Sequence, residues 1–251
     1  MIKGFYTAKA SLIQRQKQTN VISNNIANVN TKNFKRDNSE FGQILSNQIE
    51  ENYPDLNKAD YLIGGGSKID RVNIDFAQGD TVSTEKNLDL ALNGDGFFTL
   101  VDNDNNQYYT RGGSFNFTTT QSRTKNIVNG KGYFLANSNG EKIEVPFDVS
   151  EINIKDDGKI EYENQNRNED IGIVDIIDKE NLERVNSGVY QGEVEEIDSK
   201  ANVMQGFLEM SNTDLAKELV SLITNQRIFS MNSKVIQTVD EMSSLANNLK
   251  K

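Results

Sequence analysis

Histidine and cysteine, the side chains that most often carry out catalysis or bind metal ions, do not occur in this chain of 251 residues. Their absence excludes Ser-His-Asp and Cys-His catalysis, disulfides, and metal centres that depend on imidazole or thiolate ligands. Only carboxylate, Lys, Tyr or Thr chemistry is left. The acidic group Glu193, Glu195, Glu196 and Asp198 could supply the carboxylate pair of a glycosidase. Such a group is more typical of a solvated loop.

Two further motifs resemble binding loops without completing them. Residues 102–106, Asp-Asn-Asp-Asn-Asn, place side-chain oxygens at alternate positions, as a calcium loop does. Its sixth and twelfth positions are Gln107 and Gly113, where a calcium loop needs Gly and Glu. The pair Gly94-x-Gly96 lacks the third Gly of a dinucleotide-binding loop. We therefore predict turns at these sites, and expect no catalytic residue, no cofactor and no metal ion.

The charge of the chain is unevenly distributed. The chain contains 27 Lys and Arg against 37 Asp and Glu, a net charge of −10. Residues 1–36 carry seven basic side chains and no acidic one, whereas residues 37–205 are strongly acidic. Because an acidic surface repels phosphate, we expect no nucleic-acid partner. We interpret the basic arm as the polar face of an amphipathic helix.

No segment of the sequence has the pattern of a membrane helix or a signal peptide. No stretch approaches the roughly 18–20 apolar residues of a membrane helix, so we expect no membrane insertion. The first residues, MIKGFYTAKASLIQRQ, lack the apolar core of about 7–15 residues that a signal peptide needs. We therefore expect no cleaved signal peptide, and export from the cytoplasm would require another route.

The sequence predicts a first long helix over residues 2–29. Its apolar side chains recur mostly at intervals of three, four or seven residues, in a heptad-like pattern. The stripe includes Ile2, Phe5, Leu12, Ile22 and Ile26. Asn24, Asn25 and Asn28 lower the helix propensity towards its end. They also place amide groups on the helix surface, where these groups can bind a neighbour.

A second long helix is predicted over residues 213–249, with Asn212 or Thr213 as its N-cap. At about 37 residues it would be roughly 55 Å long. The first apolar stripe is Leu215, Leu219, Leu222, Phe229 and Ile236, and the second is Ile228, Met231, Val235, Val239, Met242, Ala246 and Leu249. A single partner helix cannot cover both stripes.

Short strands are predicted between the two helices. Pro54 and the glycines at 64–66 indicate a linker. From residue 69 to 192, turn signals recur every 8–12 residues, as in an all-β unit. The clearest hairpin is 152–162, in which Asp157-Gly158 is the signature of a type I′ turn.

The predicted fold class is α+β, with long N- and C-terminal helices pairing as a coiled-coil-like domain around a central, mainly antiparallel β domain. The segments are 1–36 (helix and basic arm), 37–68 (linker), 69–205 (β domain) and 206–251 (C-terminal helix packing with 1–36). Because pairing leaves one stripe in water, we expect the helices to bind neighbouring subunits. We also expect both helices to be largely disordered in the free subunit and to order on assembly.

Four blocks, in order along the chain, resemble the flagellar rod and hook family of axial proteins, and within it a distal-rod-like subunit with a single β domain. They lie at 23–36 (SNNIANVNT, then FKR), 90–98 (LALNGDGFF), 109–115 (YTRGGSF) and 205–242 (QGFLE, SN, ELV, QR, NSK and TVDEM). The second block is similar to the family's central hairpin. Asn33 stands where the family usually has Gly, and since Asn tolerates the left-handed conformation we expect a turn there.

The resemblance implies a structural axial subunit of the bacterial flagellar basal-body rod, outside the cytoplasm, and not an enzyme. Such proteins leave through the flagellar type III export apparatus and polymerise helically into the hollow drive shaft that transmits torque to the hook. The implied partners are copies of the chain, neighbouring rod and hook subunits, and the export apparatus. The predicted assembly interface consists of Phe5, Leu12, Ile22, Asn24, Asn25, Ile26, Asn28, Leu215, Leu219, Leu222, Phe229, Ile236, Val239 and Met242.

Two other classes of protein are alternatives. An extracellular β-rich adhesin would bind its ligand as a monomer and without its terminal helices. A carboxylate-based cell-wall hydrolase would release sugars and would lose this activity when a single carboxylate is replaced.

Overall fold

The structure, a computed structural model, describes residues 2–43, 67–119, 124–147, 149, 152–162 and 168–248. In this part of the chain helix α1 is Ile2–Ala27, helix α2 is Leu215–Asn248, and a short 3-10 helix is Lys179–Asn181. The first strands are β1 Asp37–Gln43, β2 Ser67–Ile74, β3 Thr81–Ser83, β4 Leu90–Asn93, β5 Phe97–Val101, β6 Gln107–Thr110, β7 Phe115–Thr119, β8 Thr124–Asn129, β9 Phe134–Leu135 and β10 Glu144–Pro146. The remaining strands are β11 Ile152–Ile154, β12 Lys159–Tyr162, β13 Asn168–Asp170, β14 Ile173–Ile176, β15 Glu183–Asn186, β16 Val189–Gln191, β17 Glu196–Asp198, β18 Asn202–Gln205 and β19 Phe207–Glu209. The predicted α+β class, with a helix at each end and an antiparallel β domain between, is confirmed.

These elements belong to two compact units. Unit 1 contains α1, β1, β2 and α2, and unit 2 contains residues 28–36 and the described part of 76–213. The units divide the chain at different places from the four predicted segments, because residues 28–36 and 206–213 group with the strands of unit 2. Backbone pairing and buried contacts, rather than composition, set these limits.

In unit 1, β1 forms an antiparallel pair with β2, from Asp37 opposite Ile74 to Gln43 opposite Ser67. The first strand therefore begins at residue 37, in a segment that the sequence predicts to be a linker. The sequence of β1, DNSEFGQ, is poor in strand-forming residues, so its propensity does not predict a strand. Residues 44–66 of the predicted linker lie outside the described part of the chain.

Both helices are slightly shorter than predicted, because polar residues end or begin them. α1 ends at Ala27, and Thr31 then donates its backbone N–H to the carbonyl of Asn28 at 3.0 Å. Asn33 follows with a φ of 60°, which confirms the predicted left-handed turn. α2 begins at Leu215, and its cap is Asp214, whose Oδ1 accepts the backbone N–H groups of Ala216 and Lys217 at 3.0 and 3.2 Å. The predicted caps, Asn212 and Thr213, lie before this cap.

In unit 2, a ten-stranded antiparallel sheet has the order β10-β8-β9-β5-β6-β16-β15, with β14, β17 and β7 attached at its sides. Of the smaller sheets, one has three strands in the order β11-β12-β13, and the other two pair β18 with β4 and β19 with β3. The core lies between them and is built from buried aliphatic and aromatic side chains. Its most deeply buried members include Leu92, Phe98, Leu100, Leu135, Val145 and Ile160. This core gives unit 2 its own source of stability.

Two local predictions in unit 2 are corrected. The hairpin 152–162 forms, and the N–H of Lys155 donates to the carbonyl of Lys159 at 2.9 Å, which leaves a three-residue loop at 156–158. Gly158 has a φ of 82°, while Asp157 has no positive φ. This is the arrangement of a turn closed by a glycine bulge, not a type I′ turn. The segment 90–98 is not a hairpin, because β4 pairs with β18 whereas β5 pairs with β6, β9 and β14. Both strands are buried, and the connection between them passes from one sheet to another.

Candidate assembly interface

Buried and half-buried positions recur seven residues apart on both helices of unit 1, which is the spacing of a heptad. We call these positions the inner seam; they are Ala8, Arg15 and Ile22 on α1, and Glu218, Asn225, Asn232 and Val239 on α2. On α2 three of the four seam residues are polar, and Glu218 and Asn225 are only 1% and 2% exposed. The seam of α2 therefore contains much less apolar surface than a usual heptad contact.

The two helices contact each other through Asn225. Its side-chain Nδ2 donates to the carbonyl oxygen of Arg15 and to Oγ1 of Thr19, each at 2.8 Å. Thr19 in turn donates its hydroxyl to the same Arg15 carbonyl at 2.9 Å. One turn of α1 thus presents two acceptors to one amide of α2.

Large apolar side chains of α2 are exposed on the faces that point away from the inner seam. They are Val220, Ile223, Met231, Val235, Met242 and Leu245, which are between 49% and 64% exposed. Along α2 they recur every three, four, seven or eight residues and form a continuous row, which we call the outer row. Six large apolar side chains on one exposed helix face are characteristic of a surface that binds another protein.

The structure distributes the predicted interface residues over three environments. Ile22 and Asn25 are buried; Leu12, Ile26, Asn28, Leu222, Ile236 and Val239 are half-buried; Phe5, Asn24, Leu215, Leu219, Phe229 and Met242 are exposed. Of the outer row, the predicted interface included only Met242. Met231 and Val235 belonged to the second predicted stripe but not to the interface, and Val220, Ile223 and Leu245 belonged to neither, although they fit a helical spacing in the sequence. The prediction also did not place Asn225 in a seam, because a polar residue does not contribute to an apolar stripe.

The three predicted interface asparagines, Asn24 and Asn25 of α1 and Asn28 just after it, make hydrogen bonds within the chain. Asn25 accepts the backbone N–H of Asp37 and donates to its carbonyl oxygen, both at 2.9 Å, as a neighbouring strand would do. Asn24 donates to the Asp37 carboxylate at 3.3 Å. The Asn28 side chain accepts the hydroxyl of Thr31 at 3.1 Å. The first two of these amides therefore hold the start of β1.

Unit 2 contains a buried charge cluster of Lys35, Arg111 and Glu209. Glu209 Oε1 accepts Lys35 Nζ at 2.6 Å, and Oε2 accepts Arg111 Nε at 2.9 Å. The Lys35 and Glu209 side chains are fully buried, and that of Arg111 is 3% exposed. Lys35 also donates to the carbonyl of Ala77 at 2.7 Å, and Glu209 Oε1 accepts the N–H of Gly79 at 2.8 Å. Each buried charge is therefore paired and hydrogen-bonded, as burial requires.

The glycine motifs of the sequence surround this cluster. Arg111 donates to the carbonyl oxygens of Gly94 and Gly96, each at 2.6 Å. A Cβ at Gly113 would lie 1.6 Å from the carbonyl oxygen of Leu90, so only glycine allows this approach of two backbones. The glycines therefore serve backbone contacts in the β domain.

The buried charge cluster joins all four sequence blocks that carry the resemblance. Lys35 belongs to the first block, the acceptors of Arg111 to the second, Arg111 to the third and Glu209 to the fourth. The sequence alone does not predict this cluster, because up to 174 positions separate its members. The sequence feature that could have identified these residues is a charged side chain inside an otherwise apolar or glycine-rich block.

The acidic group that the sequence offers for glycoside hydrolysis lies at and around strand β17. Its most engaged carboxylate, Glu196, accepts Gln107 Nε2 at 2.6 Å and the Tyr109 hydroxyl, both from strand β6 of the same sheet. Burial, together with the hydrogen bond to Glu196, raises the pKa of Tyr109. These contacts hold Glu196 against its own sheet.

Among the helices that the structure describes, none has the length and apolar character needed to cross a membrane. α2 is long enough, but polar and charged residues interrupt its apolar rows.

Comparison with known proteins gives the class of this fold and of these blocks. Residues 5–35 match the family described as flagella basal body rod protein, and residues 91–162 match the D1 domain of the flagellar hook protein FlgE/F/G. Residues 204–249 match the C-terminal domain of the flagellar basal body rod FlgEFG proteins. The three matches follow one another along the chain and include all three residues of the buried charge cluster. They define a structural axial protein of the flagellum.

Individual flagellar proteins are similar in sequence to this chain over the whole length of both chains. The flagellar basal-body rod protein FlgG of Bacillus subtilis is 33% identical, and that of Borreliella burgdorferi is 31% identical, with all of each chain covered. The flagellar hook-basal body complex protein FlhP of Bacillus subtilis is 27% identical, again over all of both chains. The chain belongs to the flagellar basal-body rod protein family. It is a structural axial subunit of the rod, and the adhesin and hydrolase alternatives are not favoured.

Proposed function

We propose that α1 and α2 pair in a coiled-coil-like manner and that this pair is the surface through which the rod subunit assembles. Copies of the chain, together with neighbouring rod and hook subunits, would stack helically with these helices at their contacts. The product would be a hollow shaft that transmits torque to the hook. The subunit acts without catalysing a reaction.

The observation that carries this proposal is the outer row of α2. Burying one Val, Leu, Ile or Met side chain stabilises a contact by about 1.5–3 kcal/mol relative to leaving it in water. The row holds six such side chains, each about half exposed or more. Since the row points away from the inner seam, the α1 of the same chain does not cover it. In a subunit of an axial structure, the natural occupant of the row is a helix of another subunit.

We further propose that the predicted interface residues contribute according to their environment. The exposed ones, such as Leu215, Leu219 and Phe229, would contact other subunits directly. The buried ones, such as Ile22 and Asn25, would act indirectly by holding unit 1 in shape. Replacement of a buried residue would therefore disturb the subunit itself, and replacement of an exposed one only the assembly.

We also propose that the subunit reaches its place outside the cytoplasm through the flagellar type III export apparatus. The family membership supports this route.

Assembly is tested by placing one negative charge on the exposed apolar surface of α2, either at Val220 of the outer row or at Leu219, an exposed residue of the predicted interface. We expect Val220→Asp, and likewise Leu219→Asp, to abolish rod formation and swimming, because a charge at a buried contact loses the apolar burial and must also be desolvated. The matched control is Gln226→Asp, which adds the same charge at an exposed polar position of α2. Rods counted by electron microscopy and swimming in soft agar are the measurements.

The folded state of each purified variant is checked by denaturant unfolding. Val220→Asp and Gln226→Asp should unfold at the same midpoint as the unchanged chain, because both positions are exposed in the subunit. Normal rods and normal swimming with Val220→Asp and Leu219→Asp would refute the proposed interface.

A further inference from the structure

Asn225 occupies a place in the inner seam where the heptad spacing calls for an apolar side chain. It is 2% exposed, and its Oδ1 accepts no hydrogen bond from any residue that the structure describes. A buried carbonyl oxygen without a donor costs free energy that an apolar side chain of similar size would not cost. The stability of the helix contact therefore does not explain why position 225 has an amide side chain and not an apolar one.

The hydrogen bonds of Asn225 depend on the alignment of the two helices. Its Nδ2 donates at 2.8 Å both to the Arg15 carbonyl and to Thr19 Oγ1. The Arg15 carbonyl is a backbone group that α1 repeats at every residue, but the Thr19 hydroxyl is a side-chain acceptor at one position only. Only the native alignment of α1 and α2 therefore places the Thr19 hydroxyl next to Asn225 Nδ2.

A shift of α1 by one heptad would remove that acceptor. The residues seven positions before and after Thr19 are Leu12 and Ile26, and neither side chain can accept a hydrogen bond. In either shifted alignment Asn225 Nδ2 could still meet a backbone carbonyl of α1, but an apolar side chain would stand where the Thr19 hydroxyl accepts its other hydrogen bond. Because a buried N–H group that loses its acceptor costs free energy, the shifted alignments are disfavoured.

We propose that Asn225 is the residue that determines the register of α1 against α2. The proposal rests on the proposed function, in which this helix pair forms the assembly surface, and it adds how the pair is kept in a single alignment. A single register matters in a helical assembly, because each subunit must present the same outer row to its neighbour.

Asn232 provides a matched control on the same helix. It lies seven residues after Asn225 at the equivalent seam position and is half-buried. Within the described part of the chain its side chain makes no hydrogen bond with α1. Replacing Asn232 by Leu therefore changes the polarity of the seam in the same way without removing a link that depends on register.

The register is measured by disulfide trapping in the full-length chain, which contains no native cysteine. Gln18→Cys, beside Thr19, is combined in turn with a cysteine at Leu215, Leu222, Phe229 or Ile236, which lie seven residues apart on α2. Leu222 and Phe229 lie within four residues of Asn225, and whichever of them links to position 18 in the unchanged chain marks the native alignment. A link seven residues before or after that position reports a shift by one heptad.

We expect links to form at one of these two positions, 222 or 229, in the unchanged chain, and at the same position in Asn232→Leu. In Asn225→Leu, links seven residues before or after that native position should rise about tenfold or more, because the shifted alignments no longer deprive an amide N–H of its side-chain acceptor. Thr19→Val, which removes only the side-chain acceptor, should give a smaller rise at the same shifted positions. An Asn225→Leu chain whose links stay confined to the native position would overturn the proposal.

This experiment is independent of assembly. If the links behave as expected but Val220→Asp still forms normal rods, the register proposal holds and the proposed interface is wrong. If Val220→Asp abolishes the rods but the links do not shift in Asn225→Leu, the interface holds and the register is set elsewhere.

Discussion

Glu209 holds two cations, Lys35 and Arg111, in a place that water does not reach. Both of its oxygens are used, and Oε1 also accepts the Gly79 N–H at 2.8 Å. A buried carboxylate with this many donors is costly to replace, since every donor left behind loses its acceptor in a medium where nothing else can take its place. The cluster is thus the residue-scale feature on which unit 2 depends most directly.

We expect Glu209→Gln to lower the free energy of unfolding of unit 2 by about 3–5 kcal/mol. The amide is nearly the same size, but its NH₂ group cannot accept a hydrogen bond, so Lys35 or Arg111 is left facing another donor. Urea unfolding followed by tyrosine fluorescence measures the change.

The control for this substitution is Glu193→Gln, at an exposed position of the same unit. It removes the same charge and should change the free energy of unfolding by less than about 0.5 kcal/mol. Equal effects of the two substitutions would mean that net charge, and not the buried cluster, matters for unit 2.

At the scale of elements, the stability of α2 depends on acceptors for the backbone N–H groups of its first turn. Asp214 accepts the N–H groups of Ala216 and Lys217, and its Oδ2 lies 3.2 Å from Lys217 Nζ. The hydrogen bond from the Lys217 backbone, followed by that from the Lys217 side chain, lowers the pKa of Asp214 below its ordinary value of 3.8. The folded helix therefore binds a proton at this carboxylate less readily than the unfolded chain does.

The sign of the pH effect follows from this lowered pKa. The cap stabilises α2 fully above the ordinary pKa of Asp214, and this stabilisation is lost as the pH falls through the lowered value. We expect exchange of the Ala216 and Lys217 amides, after correction for the intrinsic rate, to accelerate as the pH is lowered from about 5 to about 3. NMR of the full-length chain measures it.

Asp214→Asn separates the cap from its titration. Asn caps helices about as well as Asp but does not ionise. In this variant the corrected exchange of the same two amides should not depend on pH over this range. The same pH dependence in Asp214→Asn as in the unchanged chain would show that another group is responsible.

At the scale of the whole molecule, the two units differ in what stabilises them. All five residues of β5 are buried, and two of them, Phe98 and Leu100, belong to a continuous apolar core. The inner seam of α2 instead has polar residues at three of its four positions, and isolated helices in water are only marginally stable. The sequence-based expectation that both helices order on assembly stays a prediction, and this contrast supports it.

Hydrogen exchange on dilute free subunit tests that expectation. We expect the amides of α1 and α2 to exchange at least about tenfold faster than those of β5, since local opening of the helices does not disturb the core of unit 2. In assembled rods the helix amides should become protected. Helix amides that exchange in the free subunit as slowly as those of β5 would refute the coupling of helix order to assembly.

The sequence alone determined the features that depend on neighbours a few residues apart. The apolar repeats of three and four residues located both helices, and Gly158 located the hairpin between β11 and β12, because helix and turn geometry are decided by local hydrogen bonds. The positive φ of Asn33 was predictable for the same reason. The ordered motif blocks were enough to indicate the flagellar rod family and a structural role.

Only the tertiary structure decided which distant residues meet. Lys35 and Glu209 are 174 positions apart, and Asn225 is 206 positions from Thr19. No spacing in the sequence records such a contact, because it forms only when separate elements pack. The same holds for β1, whose polar sequence becomes a strand through its pairing with β2. The polar seam and the outer row could be told apart only once α1 was seen to lie against one face of α2, since both rows are helical repeats of the same length.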